Sequence, residues 1–174
     1  MEEARLSRRD DQGEERDVSE ERNPGRSAAE AAPFPTQIID HEVPTSIADA
    51  AAMCGVEVHQ LQKSMVVRTS EDSYVLVLVP GDSVIDWKKL RAALGVSRLS
   101  LAPQDEAEKA TGFKRGTITP LGMARDLPVV VDASIEGTRI SVGGGAPGLN
   151  FVMEADDLIA HLGARVADIA KPAG

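Results

Sequence analysis

The chain has 174 residues, 42% of them hydrophobic and only 3% aromatic, and a formal net charge of −9. That length supports one domain with an aliphatic core and leaves no room for two large ones. The acidic balance argues against a general polyanion binder, because phosphate contacts come from Lys and Arg, and DNA is not expected as a partner.

Residues 1–32 carry ten acids, six bases and Val18 as the sole β-branched or aromatic residue. Such a segment cannot bury enough apolar surface to offset its ordering entropy, so a disordered charged tail is expected, with a transient helix as the alternative at its alanine-rich end, followed by one domain over 33–174. The start Met1-Glu2-Glu3-Ala4-Arg5 lacks the apolar run of a secretory leader, and no stretch reaches membrane-span length. With a single cysteine, Cys54, the expectation is a reducing, cytoplasmic compartment.

Ser46 can cap a helix that runs through Ala50-Ala51-Ala52-Met53-Cys54 and stops at Gly55. Cys54 has no base near it in sequence and reads as a small buried residue, not a nucleophile. Val56–Thr69 reads as a strand with Leu61, Lys63, Met65 and Val67 on one face and Gln62, Ser64, Val66 and Arg68 on the other. A lysine among apolar neighbours must reach outward, meet an anion or line a cavity.

The run Tyr74–Val79 suits a strand covered on both faces, paired with the previous one through a turn at Glu71-Asp72. A helix from Asp86 to Leu94 follows, placing Trp87 in the core. A short strand near Arg98–Leu101 leads to a helix opened by Pro103 and closed by Gly112.

Gly112-Phe113-Lys114-Arg115-Gly116-Thr117-Ile118-Thr119-Pro120-Leu121-Gly122 is the loop around which the chain is organised. Three glycines permit positive φ and close approach of another molecule, and successive N–H groups in such a loop can cradle an anion or a carbonyl. It is also simply a Gly/Pro connection. Lys109, Lys114, Arg115 and Arg125 occur here without an acid until Asp126, which makes a local basic lip possible.

Val129-Val130-Val131 is a buried strand that delivers Asp132, by pattern a turn-former, followed by Ala133-Ser134. Thr138–Val142 alternates, then meets the glycine-rich turn Gly143-Gly144-Gly145-Ala146-Pro147-Gly148. A returning strand over Asn150–Met153, a helix over Ala155–Leu162 and a short final segment at Val166–Ile169 complete the domain. His41, His59 and His161 lack metal-ligand spacing, no cofactor fingerprint is present, and no G-x-S-x-G elbow occurs.

Lys63, the G-x-x-x-G-x-x-x-P-x-G loop and Leu127–Asp132 together resemble the YbaK/ProX family of aminoacyl-tRNA deacylases, related to the editing domain of bacterial prolyl-tRNA synthetases. The resemblance spans roughly Pro35 to Ile169. It implies an α+β fold: a mixed, largely antiparallel sheet curled towards a barrel, with surrounding helices. It implies metal-independent ester hydrolysis on the aminoacylated end of a tRNA, with a small amino acid on a proline-type tRNA as substrate and prolyl-tRNA synthetase as a possible partner. Lys63, Gly116 and Asp132 inherit catalytic places, with Asp132 as a pocket carboxylate facing Lys63. Gly112, Thr117, Thr119, Pro120, Gly122, Ser134, Gly143, Gly144 and Gly145 inherit substrate-binding ones. The family commonly shows paired glycines and a serine before the proline, where this chain has Gly116-Thr117 and Thr119. An entrance tyrosine of some relatives has no match between Phe34 and His41. A catalytically silent binding module of the same fold is the alternative.

Overall fold

The structure, a computed structural model, describes residues 23–174. Most of the expected tail, residues 1–22, lies outside the described residues. In its last part Pro24–Glu30 form helix α1, capped by the Asn23 side chain, which accepts from the Gly25 amide at 2.9 Å. Gly25 and Ala29 are buried, and the Asn23 amide donates to Gly144 O at 3.0 Å. Arg26 pairs with Asp40 at 3.1 Å. Small residues let this helix sit tightly on the domain, and they leave no hydrophobic signal in sequence. A Cβ on Gly25 would stand 2.9 Å from Thr119 Cγ2 and 3.0 Å from Gly144 O.

Strand β1 (Gln37–Asp40) leads to helix α2 (Ile47–Cys54). Ser46 Oγ accepts from the Asp49 amide at 3.0 Å, and Gly55 ends the helix at φ 70°. The expected strand from Val56 starts later, because Val58–Gln60 form a 3-10 turn closed by Glu57 and Gln60. Strand β2 covers Gln62–Ser70 and turns at Glu71-Asp72 into β3 (Ser73–Pro80).

After β4 (Ser83–Ile85) come α3 (Trp87–Leu94), capped by Asp86, then β5 (Ser100–Leu101) and α4 (Gln104–Thr111). Gly112 stops α4 at φ 83°. Beyond the long loop lie β6 (Val129–Asp132), β7 (Arg139–Gly143), β8 (Leu149–Glu154), α5 (Ala155–Leu162), β9 (Arg165–Ala167) and β10 (Ala170–Pro172).

The fold is α+β with mixed pairing. A five-stranded sheet has the order β5-β2-β3-β6-β9, with β3-β6 and β6-β9 parallel and the others antiparallel. A second, antiparallel sheet has the order β1-β8-β7, and β4 pairs with β10. The expected curl towards a barrel is not realised as a closed sheet. Among the described residues the large sheet ends at β5 and β9, and one parallel bridge, Leu61 to Ser141, links it to the small one.

Strand β3 is covered on both sides, as its unbroken apolar run requires. Leu76 and Leu78 enter one core with Val66, Ile140, Val142 and Phe151. Val75, Val77 and Val79 enter another with Val67, Ile85, Leu90 and Ile169. Strand β2 divides in the same way, Val66 to the first core and Val67 to the second. Lys63 is therefore on the second-core side of the strand, and Gln62 and Ser64 are on the first.

Candidate editing pocket

The start of β2, helix α2 with the segment before it, the glycine loop and the β7-β8 turn converge on a pocket of about 550 Å³. Ile47, Ala50, Leu61, Ile118 and Leu149 give it an apolar lining, and Gln62, Lys63, Ser64, Arg115 and Asn150 add polar groups. Among the described residues no Asp or Glu lines it. On a chain with 28 acids and 19 bases that bias is local.

Of the residues expected at the site, Lys63, Gly116, Thr117 and Gly143 meet in this wall. The Lys63 ammonium donates to the carbonyl of Ser83. Burial pulls its pKa below the ordinary lysine value, and nearby Asp82 opposes that shift. Thr117 donates both its amide, at 2.9 Å, and its hydroxyl, at 2.7 Å, to Lys114 O, closing a turn over Lys114–Thr117. At its apex Gly116 has φ 88°. The amides of Gly116 and Ile118 donate to no acceptor among the described residues, although both residues line the pocket.

The other expected residues shape the site without lining it. Gly112 is the end of α4. Thr119 is fully buried and accepts from the Leu121 amide at 3.3 Å, while Pro120 is buried beside it. Gly122 lies so close to Pro24 O that a Cβ would collide with it. Gly144 faces Leu149 in the same manner, and Gly145 donates its amide to Thr117 O at 2.7 Å.

Asp132 is not brought into the pocket wall. Its carboxylate accepts from the Ser134 amide and hydroxyl and from the amides of Ile169 and Ala170. Burial pushes its pKa up, and these hydrogen bonds outweigh that effect, so it settles below the ordinary carboxylate value. Ser134 is exposed and serves as Asp132's partner. Asp132 thus ties β6 to the β9-β10 connection, the work its turn-forming pattern suggested.

Sequence reasoning missed His41 and Asn150. The His41 ring is held between Glu42 O at 2.7 Å and Asn150 Oδ1 at 2.8 Å, and Asn150 also donates to Ser141 Oγ and Val142 O. These partners are 109 residues apart, so no local spacing could join them. Gln62 was seen only as the reverse face of a strand. It is 3% exposed, and its amide closes the turn by donating to His59 O and Gln60 O, both at 3.1 Å. Among the described residues no cluster of three potential metal ligands occurs.

The model of the aminoacyl-tRNA editing domain matches residues 41–161, a span that contains every residue of this pocket wall. The chain belongs to the aminoacyl-tRNA editing domain family. Prolyl-tRNA ligase of Geobacter sp. (strain M21) is 33% identical over 138 residues, which are 79% of this chain and 22% of that protein. The editing domain described here therefore spans about a fifth of the length of such ligases. EbsC of Enterococcus faecalis, named as a candidate Cys-tRNA(Pro)/Cys-tRNA(Cys) deacylase, is 24% identical over 131 residues, 75% of this chain and 78% of that one. A solved structure described as a candidate trans-editing enzyme for prolyl-tRNA synthetase superposes with a TM-score of 0.76 at 29% identity. It covers 85% of this chain and 97% of its own.

Proposed function

We propose that this editing domain hydrolyses the ester of a mischarged aminoacyl-tRNA in the cytoplasm, releasing a small amino acid from a proline-type tRNA. Prolyl-tRNA synthetase is the partner whose errors it would correct. The observation that carries the reading is the wall of the pocket within the family span: Lys63 and the amides of Gly116 and Ile118, which meet no acceptor among the described residues, with no carboxylate among the described lining residues.

In the reaction water adds to the ester carbonyl, the bond from the acyl carbon to the ribose oxygen breaks, and that oxygen takes a proton. Charge gathers on the carbonyl oxygen in between, and donors fixed before reaction stabilise it most. The Gly116 and Ile118 amides suit that role because their geometry is set by the loop and not by a side-chain rotamer. Lys63 is held by Ser83 O and acts through charge and position. Thr117 and Ser46 have hydroxyls engaged in local structure, and the Thr45 hydroxyl meets the Asp49 carboxylate at 3.3 Å at the start of α2, where Asp49 also accepts from the Thr45 amide at 3.0 Å. The ester is already reactive, so alignment of water and carbonyl suffices. The tRNA's own 2′-hydroxyl is a further source of assistance.

A silent binding module is the competing reading, favoured by the engagement of the Lys63 ammonium with a backbone carbonyl. Deacylation of alanyl-, cysteinyl- and seryl-tRNA by wild type and Lys63→Ala separates the two. Lysine-dependent release of one amino acid supports hydrolysis. Release at the spontaneous rate from all three, with synthetase added, supports the binding module.

A further inference from the structure

The turn Lys114–Thr117 carries two exposed cations, Arg115 in the pocket wall and Lys114 beside it in sequence. Lys114 and Arg115 are exposed and form no ion pair or side-chain hydrogen bond with a described residue. Elsewhere the basic side chains near acids are matched: Arg125 with Asp72 at 3.0 Å, Lys89 with Asp168 at 3.1 Å, Arg26 with Asp40 at 3.1 Å. Arg125, expected in the basic lip, is therefore withdrawn from it and lies over the Tyr74 ring.

We propose that Lys114 and Arg115 are a phosphodiester anchor that holds the 3′ end of the RNA at the pocket mouth; this rests on the proposed editing function. Three observations converge on it. Arg115 belongs to the pocket wall, so an anion bound there is adjacent to whatever fills the pocket. Among the described residues the wall has no carboxylate to compete, and no acid occurs in sequence between Lys109 and Arg125. The two side chains rise from a turn closed on Lys114 O by both the amide and the hydroxyl of Thr117 and fastened to the β7-β8 turn through Gly145, so the cations stand on a fixed base.

Phosphate is the ligand that fits. A guanidinium matches its oxygens in a planar fork, and a lysine adds a point charge. On a chain of net charge −9 the long-range field repels RNA, so short-range anchors must be concentrated where the substrate end is to be placed. The rival basic location is a shallow groove lined by Arg68, Arg91 and Arg98, which includes Glu71 and is formed by other elements.

The test is binding of uncharged tRNA, followed by fluorescence anisotropy from about 50 to 200 mM salt, the range in which phosphate contacts show themselves. Wild type, Lys114→Ala, Arg115→Ala, Arg115→Lys and Arg98→Ala are compared, with thermal melts confirming folding. Each alanine variant on the turn should weaken binding severalfold and lower the slope of log affinity against log salt by about 0.7 to 0.9. Arg115→Lys should restore the slope. Unchanged slopes for both turn variants, loss confined to Arg98→Ala, or equal competition by polyglutamate and RNA would overturn the anchor. Uncharged tRNA needs no hydrolysis to bind. Deacylation with unaltered slopes therefore defeats the anchor alone, while altered slopes without deacylation defeat the editing reaction alone.

Discussion

The amide of Gly145 donates to the carbonyl of Thr117 over 2.7 Å, joining the long loop to the β7-β8 turn. The two glycine-rich segments, joined through residues 28 apart in sequence, therefore form one unit around the pocket. Gly145 has φ 88°, and a Cβ there would stand 2.8 Å from Asn23 Oδ1 and from Phe113 Cε1. Gly145→Ala should cost roughly 2–5 kcal/mol, combining the left-handed backbone with overpacking. Gly116 has the same φ but nothing within 4 Å of a Cβ. Gly116→Ala should cost only about 1–2 kcal/mol. Urea unfolding of both variants checks the contrast, and equal losses would mean that the packing around Gly145 is looser than described.

Asp132 gives a pH-dependent prediction. Its folded pKa lies below the ordinary value because hydrogen bonds from Ser134, Ile169 and Ala170 outweigh burial. The folded state thus binds its proton less tightly than the unfolded chain. Its contribution is fully present above the unfolded value, near 3.8, and disappears as pH falls through the lower folded value. Asp132→Ala leaves the Ile169 and Ala170 amides without this acceptor and should cost about 2–4 kcal/mol at neutral pH. The variant should also lose less further stability than wild type between pH 5 and pH 2. Parallel acid titrations of the two proteins would reject the assignment.

Much of this arrangement was legible because local chemistry agreed with the fold. Ser46, Gly55, Asp86 and Gly112 mark helix ends by the hydrogen bonds and left-handed backbone that those residue types supply. The alternation around Lys63 gave the correct face of β2, and the unbroken β3 run gave its two-sided burial. What failed was non-local. Asp132's partners at Ile169 and Ala170 come from a strand connection 37 and 38 residues on, so nothing near Asp132 distinguished a structural carboxylate from one in the pocket. Helix α1 was hidden because it packs through glycine and alanine, whose burial leaves a composition as polar as a tail. His41 reaches the site through Asn150, a contact that only the pairing of β1 with β8 creates.

Lys63 should leave a signature at alkaline pH. Burial lowers its pKa below 10.5, with Asp82 pulling the other way. The unfolded chain therefore holds that proton more tightly, and the difference favours the folded state increasingly as pH rises from the folded value towards 10.5. Wild type should accordingly gain stability relative to Lys63→Met across that window. The comparison uses urea midpoints at matched pH values. A constant difference would show that the Lys63 ammonium is as well solvated folded as unfolded.

Cys54 closes helix α2 one turn behind the pocket residue Ala50, and it is 3% exposed. Burial pushes its thiol pKa up, and a hydrogen bond with Ser141 opposes that only in part. A thiol held protonated and out of solvent is a poor nucleophile, since the thiolate is the reactive form. Native protein should consequently react with an aromatic disulfide reagent at the rate of its own opening, orders of magnitude slower than in urea. Cys54→Ala should retain deacylation and lose about 1–2 kcal/mol from the vacated sulfur volume. Rapid stoichiometric labelling of folded protein, or loss of hydrolysis in a Cys54→Ala variant of normal stability, would instead make this thiol part of the chemistry.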